Sequence, residues 1–290
     1  MVVHEHFAIK IPEKYPLECA GPVMCAGVTM FEPLMKYKVG KGTRVGIVGL
    51  GGLGVMGIKL ARALGCQVTA LSRSERKRAL ARSAGALNFL HSTDATAMAA
   101  VKGSLDLVLN TVPCKHDINP YTRLLTRRGK HVLLGISPTF AAALILEASF
   151  GGCVQVVGSA IGSIKRTQEV VDFCDTHQIT PEIEVFPAHE LNSVYQKLDE
   201  SNETGLRYVM DIVSTFNKDT AERCTAPPPQ LGPFQNLLSV FAIVQEMFKL
   251  IVRELGRVFW VLRGSVACRA PMFEFCSLAF VHTLLLCCEC

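Results

Sequence analysis

The run Gly49-Leu50-Gly51-Gly52-Leu53-Gly54 carries the clearest chemical signal in this chain. Through Gly49, Gly51 and Gly54 it fits the spacing G-x-G-x-x-G. Each glycine has its own use if a pyrophosphate is to be held. Gly49 makes a tight turn, Gly51 lets the backbone approach the phosphates without a Cβ in the way, and Gly54 allows a helix to pack closely on a strand. The start of the following helix adds unpaired N–H groups and a partial positive charge. The pattern alone is weak, because a glycine-rich turn needs no ligand. Its context gives it weight: a β-rich run from Thr43 to Gly49 precedes it, and a helical period from Val55 to Leu64, closed by Gly65, follows.

A second cluster bears on which dinucleotide would fit. An NAD site usually places Asp or Glu about 20 residues after the glycines, to accept from a ribose 2′-hydroxyl. Here the strand Gln67 to Leu71 runs instead into Ser72-Arg73-Ser74, with Lys77 one turn on. Hydroxyls and cations suit a 2′-phosphate, which wants donors and positive charge. Arg76, Lys77 and Arg78 near a helix start also oppose the helix dipole, a cost that an anionic ligand offsets. The competing reading is a solvated basic helix start. The features favour NADP(H) over NAD(H).

These residues need a scaffold. Strands are expected at residues 3–11, Thr43–Gly49, Gln67–Leu71, Leu105–Asn110, His131–Gly135, Val154–Gly158, Glu182–Phe186 and Arg207–Ile212. Helices are expected at Leu17–Tyr37 (interrupted or started near Pro22), Val55–Leu64, Glu75–Ala84, Tyr121–Leu125, Ile164–His177 and Leu191–Leu198, the fifth burying Val170, Val171, Phe173 and Cys174. Strands alternating with helices predict a parallel sheet with crossover helices.

Composition sets outer bounds. The chain has 290 residues, 49% of them hydrophobic and 19% charged, which is apolar for a globular protein. Its net charge of +5 comes without a long basic face or interleaved aromatics, which argues against nucleic acid as a partner. The start has no basic segment followed by an apolar one, so the expected location is cytoplasmic, with reduced thiols. The cysteines do not fall into the two C-x-x-C runs of a four-cysteine zinc cage.

Several separated motifs carry a closer resemblance. Cys25-Ala26-Gly27-Val28-Thr29, the run from Val45 to Gly54, Ser72-Arg73-Ser74-Glu75-Arg76-Lys77, Gly158-Ser159-Ala160-Ile161-Gly162-Ser163, Asp172-Phe173-Cys174 and Arg207-Tyr208 are all similar to one family. It is the zinc-dependent medium-chain alcohol dehydrogenases, and within them the NADP-dependent, cinnamyl-alcohol-dehydrogenase-like branch. The likeness covers about residues 1–214. It implies an α/β fold: a Rossmann-type doubly wound parallel sheet, remnants of a GroES-like catalytic domain, and a helical tail foreign to the family. The expected divisions are 1–24 as catalytic-domain remnant, 25–158 as the NADP-binding domain, 159–214 as its return segment, and 215–290 as linker and tail.

The resemblance implies Cys25 as a catalytic zinc ligand and places Thr29 near the nicotinamide. A thiolate is a good zinc ligand, while a cysteine in an apolar helix is commonly just buried. Thr111 and Val112, Gly135 and Ile136, and Ser159 and Ile161 follow strand ends, where open α/β sheets bind ligands. The expected cofactor set is therefore NADP(H), with zinc in an incomplete site. The rest of the family's catalytic apparatus has no counterpart here: the first zinc cysteine, the His-Glu pair, the relay hydroxyl and the four-cysteine structural site. His4 and His6 do not replace them.

Beyond about residue 215 the character changes. Pro227-Pro228-Pro229 reads as linker, and Leu237 to Leu262 as a long helix with apolar residues at steps of four and three. Neither it nor the second apolar stretch, 272–288, makes a clean transmembrane span. The tail reads as a translated non-coding segment, an amphipathic partner or membrane-surface helix, or a lipidated end at Cys288-Glu289-Cys290. Two functions compete for the rest. The chain is an oxidoreductase moving hydride between NADPH and an aldehyde or primary alcohol, or a truncated, catalytically inactive module that still holds NADP(H). A homodimer is left open.

Overall fold

The computed structural model describes residues 4–135, 155–200 and 205–215, all within one unit of the chain, Met1–Cys224. The expected contact at Ile136 and the expected features of the segment 217–290 lie outside the described residues.

Strands β1 (Arg44–Val48), β2 (Gln67–Ser72), β3 (Asn88–His91), β4 (Leu105–Asn110), β5 (Leu125–Leu133) and β6 (Gln155–Gly158) form one sheet. Their order is β3-β2-β1-β4-β5-β6, and every pairing is parallel. The order reverses between β1 and β4, and the crevice beyond the carboxyl ends at that reversal is where such sheets bind ligands.

Side chains alternate across the strands, so the sheet feeds two cores. Val45, Ile47, Leu107, Leu109 and Val132 enter the larger one, with Met56, Ile58 and Leu60 of helix α3 (Gly52–Ala63). Val48, Leu71, Leu90, Val108 and Leu125 enter the other. The helices α1 (Leu17–Pro22) and α2 (Val28–Lys36) flank a π-helical turn at Val23–Gly27. Met30 of α2 packs against the backbone of Gly57 in α3, where a Cβ would collide with it.

The remaining helices are short: α4 (Arg78–Ser83), α5 (Ala95–Ala100) and α6 (Asn119–Thr122). Beyond β6, helix α7 (Ile164–Thr176) buries Val170, Val171 and Cys174, while Phe173 stays half-buried. A separate parallel pair, β7 (Ile183–Pro187) and β8 (Arg207–Asp211), encloses α8 (Leu191–Glu200), and α9 (Ile212–Thr215) ends the described chain.

Several expectations need correction. Residues 4–11 form no strand: Glu5–Phe7 is a 3₁₀ turn capped by the His4 side chain. Their rough alternation finds no sheet edge to pair with. The segment is tied down instead by Gln168 of α7, which receives the Lys10 amide and donates to the Lys10 carbonyl. The helix over 17–37, expected to be interrupted or to start near Pro22, is divided there by the π turn, which follows Pro22, a residue with no amide hydrogen to give. The helix expected from Glu75 begins as a 3₁₀ turn, Glu75–Lys77. The elements β3 and α5 went unread, because Asn88–His91 is too short to show a period.

Candidate functional site

At the carboxyl end of β1 the chain turns at Gly49, whose φ of +87° suits a residue without a Cβ. Thr111, at the end of β4, donates its hydroxyl to the Val48 carbonyl at 2.9 Å, which seals the reversal point of the sheet. A Cβ on Gly54 would collide with the Gly49 carbonyl, so this glycine lets α3 start directly under the turn. A Cβ on Gly51 would meet nothing within 4 Å among the described residues, so the space beside it is open there. Gly51 is the N-cap of α3 and no side chain caps it, so the first N–H groups of a twelve-residue helix point toward the same space.

Two cations converge on this loop. Lys77 Nζ donates to the Leu50 carbonyl at 2.9 Å, joining the basic corner to the glycine turn. Arg207, from β8, lies over Gly52, where a Cβ would strike its guanidinium. Its Nε is buried and has no hydrogen-bond partner among the described residues. A buried donor left unmet is costly, and a cation beside a helix N-terminus opposes the dipole. A pyrophosphate on the first turn of α3 would supply the counter-charge to this cation.

The motif reading did not single out Arg207 as a contact. It lies more than 150 residues from the glycines, and only the β7–β8 pairing brings it back over α3. The signal available in the sequence was Arg207-Tyr208 opening a short β-rich run.

The second corner follows β2. Ser72 is buried, and its Oγ accepts from the Ser74 amide at 3.1 Å. Arg73 and Arg76 are exposed, and Ser74 and Lys77 are half-buried. Glu75 does not reverse the positive character. It pairs with Arg78, and hydrogen bonding to that guanidinium holds its carboxyl below the ordinary range.

Thr111, Val112 and Gly135 also come together at this end of the sheet. A Cβ on Gly49 would press on Thr111 and Val112, and a Cβ on Gly135 would collide with the Val112 carbonyl. Asn110 holds this wall, taking the Val112 amide on Oδ1 at 3.2 Å while its own carbonyl accepts from Leu134 and Gly135. Behind it, Asn110 Nδ2 donates to His116 and to the fully buried His131.

Ser159 continues the β5–β6 ladder by donating to the Leu133 carbonyl at 3.1 Å, and Ile161 has a φ of +50°, unusual for a β-branched residue. This loop meets α2 where Gly162 abuts Val28, beside Thr29. Thr29 is nearly buried and donates to the Cys25 carbonyl at 2.7 Å.

Cys25 sits in the π turn, half-buried. A protein zinc site needs at least three ligands. Among the described residues no group of three or more His, Cys, Asp or Glu is placed to hold a metal ion. Among the described residues the donors do not complete a zinc centre. The other groups fit a dinucleotide: an open glycine cradle, an uncapped helix start, an Arg207 side chain over the turn and a cationic corner with hydroxyls.

Comparison with known proteins agrees with this geometry. Residues 52–176 match the family model for zinc-binding dehydrogenases. A probable cinnamyl alcohol dehydrogenase from Lolium perenne is 41% identical over 226 residues, covering 76% of this chain and 61% of the relative. An NADP-dependent alcohol dehydrogenase C from Mycobacterium bovis is 39% identical over 218 residues, covering 73% and 61%. Among solved structures, a cinnamyl alcohol dehydrogenase from Sorghum bicolor superposes with a TM-score of 0.68 at 37% identity, covering 73% of this chain and 60% of that one. The cinnamyl alcohol dehydrogenase from Helicobacter pylori complexed with NADP(H) gives 0.62 at 35%, covering 72% and 59%. The chain thus spans about three fifths of the length of the relatives it matches.

Proposed function

We propose that this chain, similar over the three quarters of its length that align to a probable cinnamyl alcohol dehydrogenase, is an NADP(H)-binding module of the zinc-dependent medium-chain dehydrogenase/reductases that does not by itself carry out zinc-dependent turnover. The observation that carries the reading is the set around the start of α3. A Cβ on Gly51 would meet none of the described residues, and at the neighbouring Gly52 the Arg207 side chain lies over the turn, its Nε buried with no acceptor among the described residues. The choice of NADP(H) rests on Ser72, Arg73, Ser74 and Lys77, where an acid would serve NAD(H).

In this reading the α3 amides and Arg207 take the pyrophosphate, and Ser72, Arg73, Ser74 and Lys77 take the 2′-phosphate. Leu50, Gly52 and Leu53 line the turn, and Thr111, Val112, Gly135, Ser159 and Ile161 flank the path toward the nicotinamide, with Thr29 beyond. The cofactor, when bound, supplies a hydride. Cys25 is a single candidate zinc ligand, and one thiolate does not position a metal for Lewis-acid work.

The second reading is the family's own reaction, hydride transfer between NADPH and an aldehyde or primary alcohol. It is favoured by the 41% identity to a probable cinnamyl alcohol dehydrogenase. One experiment separates the two. The purified 290-residue chain is assayed for bound zinc, NADPH binding, and NADPH oxidation with cinnamaldehyde. Binding without stoichiometric zinc or turnover supports the module. One tightly held zinc per chain with steady turnover supports the enzyme.

A further inference from the structure

We propose that His91 is a positioning residue that sets the preference for a 2′-phosphorylated cofactor, an inference that rests on the NADP(H) reading. His91 ends β3 directly beside Ser72, its register partner across the parallel β2–β3 pair. Its Nε2 lies 2.8 Å from the Arg73 carbonyl, and Thr93 Oγ1 lies 3.1 Å from its Nδ1. A carbonyl oxygen only accepts, so Nε2 carries the proton. The Thr93 hydroxyl then donates to Nδ1, which fixes that tautomer.

The consequence falls on the Ser72–Arg73–Ser74 turn. From one side His91 draws the Arg73 carbonyl toward β3. From the other, the Ser74 amide donates to Ser72 Oγ at 3.1 Å. The peptide between Arg73 and Ser74 is thereby held at both its oxygen and its nitrogen. Because Ser72 Oγ already accepts from that amide, its own proton points elsewhere and is available to a phosphate oxygen. Three donors to the 2′-phosphate (the Ser72 hydroxyl, the Arg73 guanidinium and the Ser74 hydroxyl) thus hang on one peptide plane. His91 touches none of the cofactor in this arrangement. It reduces the freedom that the turn must lose when the phosphate binds. The pyrophosphate, common to NADPH and NADH, is assigned in this reading to the start of α3 rather than to this peptide.

The test is a pair of variants read by equilibrium titration. NADPH and NADH dissociation constants are measured for the parent chain, His91→Ala and His91→Gln, with thermal unfolding of each cofactor-free protein as the folding control. The amide nitrogen of Gln can occupy the place of Nε2 and donate to the same carbonyl. His91→Ala is expected to weaken NADPH binding by about five- to tenfold, the scale of one hydrogen bond, with NADH changed less than about twofold. His91→Gln is expected to restore most of the NADPH affinity. If His91→Ala leaves the NADPH-to-NADH ratio at the parent value, or if Gln behaves like Ala, the positioning role is overturned while the cofactor reading stands. If the parent itself shows no preference for NADPH, both fall together.

Discussion

Asn110 Nδ2 donates to Nε2 of His131 across 3.2 Å, in a part of the core that water does not reach. The rest of the hydrogen bonding follows from that one contact. With Nε2 accepting, the proton of His131 is on Nδ1, which donates to Thr122 Oγ1 at 2.8 Å, and Thr122 donates in turn to the Ile118 carbonyl. The second amide hydrogen of Asn110 goes to His116, and its Oδ1 takes the Val112 amide. Every polar atom of His131 is satisfied only while the ring is neutral. A buried polar side chain thus holds the wall at Thr111 and Val112 in place.

An acid-sensitive stability follows. Burial, and secondarily the neighbouring His116, push the His131 pKa down to about 3. The unfolded chain takes up that proton near pH 6.5, so it binds more protons than the folded one between about 6.5 and about 3. The stabilisation is complete above the unfolded pKa and is lost as pH falls through this window. The loss is on the order of 2 kcal/mol by pH 5. Urea unfolding at pH 7 and pH 5 measures it. His131→Leu should remove this part of the slope, whatever its stability at pH 7. An equal slope in parent and variant would contradict the assignment.

The glycines separate fold from binding. Gly54→Val should damage folding, because its side chain would be driven into the Gly49 carbonyl. Gly51→Val should fold with near-parent thermal stability, because the fold leaves that space open, yet lose dinucleotide binding by at least about a hundredfold, since the new side chain occupies the phosphate approach. Circular dichroism with fluorescence titration checks both. Retained affinity in folded Gly51→Val would reduce the motif to a turn.

Much of this site was legible in the residues themselves. The strand–glycine–helix order and the absence of an acid after β2 are local signals, and in the structure Lys77 joins the glycine turn through the Leu50 carbonyl. Cys25, Thr29, Ser159 and Ile161 came from resemblance instead. What stayed hidden was long-range. Arg207 gains its meaning from β7–β8 pairing, and His131 reads as an ordinary polar residue at the start of an apolar run until Asn110 and Thr122 are found on either side of it. Residues 4–11 mislead for the same reason, because alternation makes a strand only where a partner edge exists.

Arg207 gives a prediction of opposite signature to the basic corner. Its guanidinium faces the helix start rather than the 2′-phosphate side. Arg207→Ala should therefore weaken NADPH and NADH alike, by roughly ten- to a hundredfold, the range for charge-assisted hydrogen bonds. Calorimetric titration with both cofactors reads this. A loss confined to NADPH would move Arg207 to the other corner.

The central claim is that this chain holds NADP(H) through the α3 start and the Ser72–Lys77 corner. The most direct measurement is the pair of dissociation constants for NADPH and NADH, in the parent and in Arg73→Asp. The account predicts that the parent binds NADPH at least about tenfold more tightly, the scale of a charge-assisted pair to the 2′-phosphate, and that Arg73→Asp erases or reverses the difference while NADH binding persists. Equal affinities in the parent, or no binding of either cofactor, would contradict it.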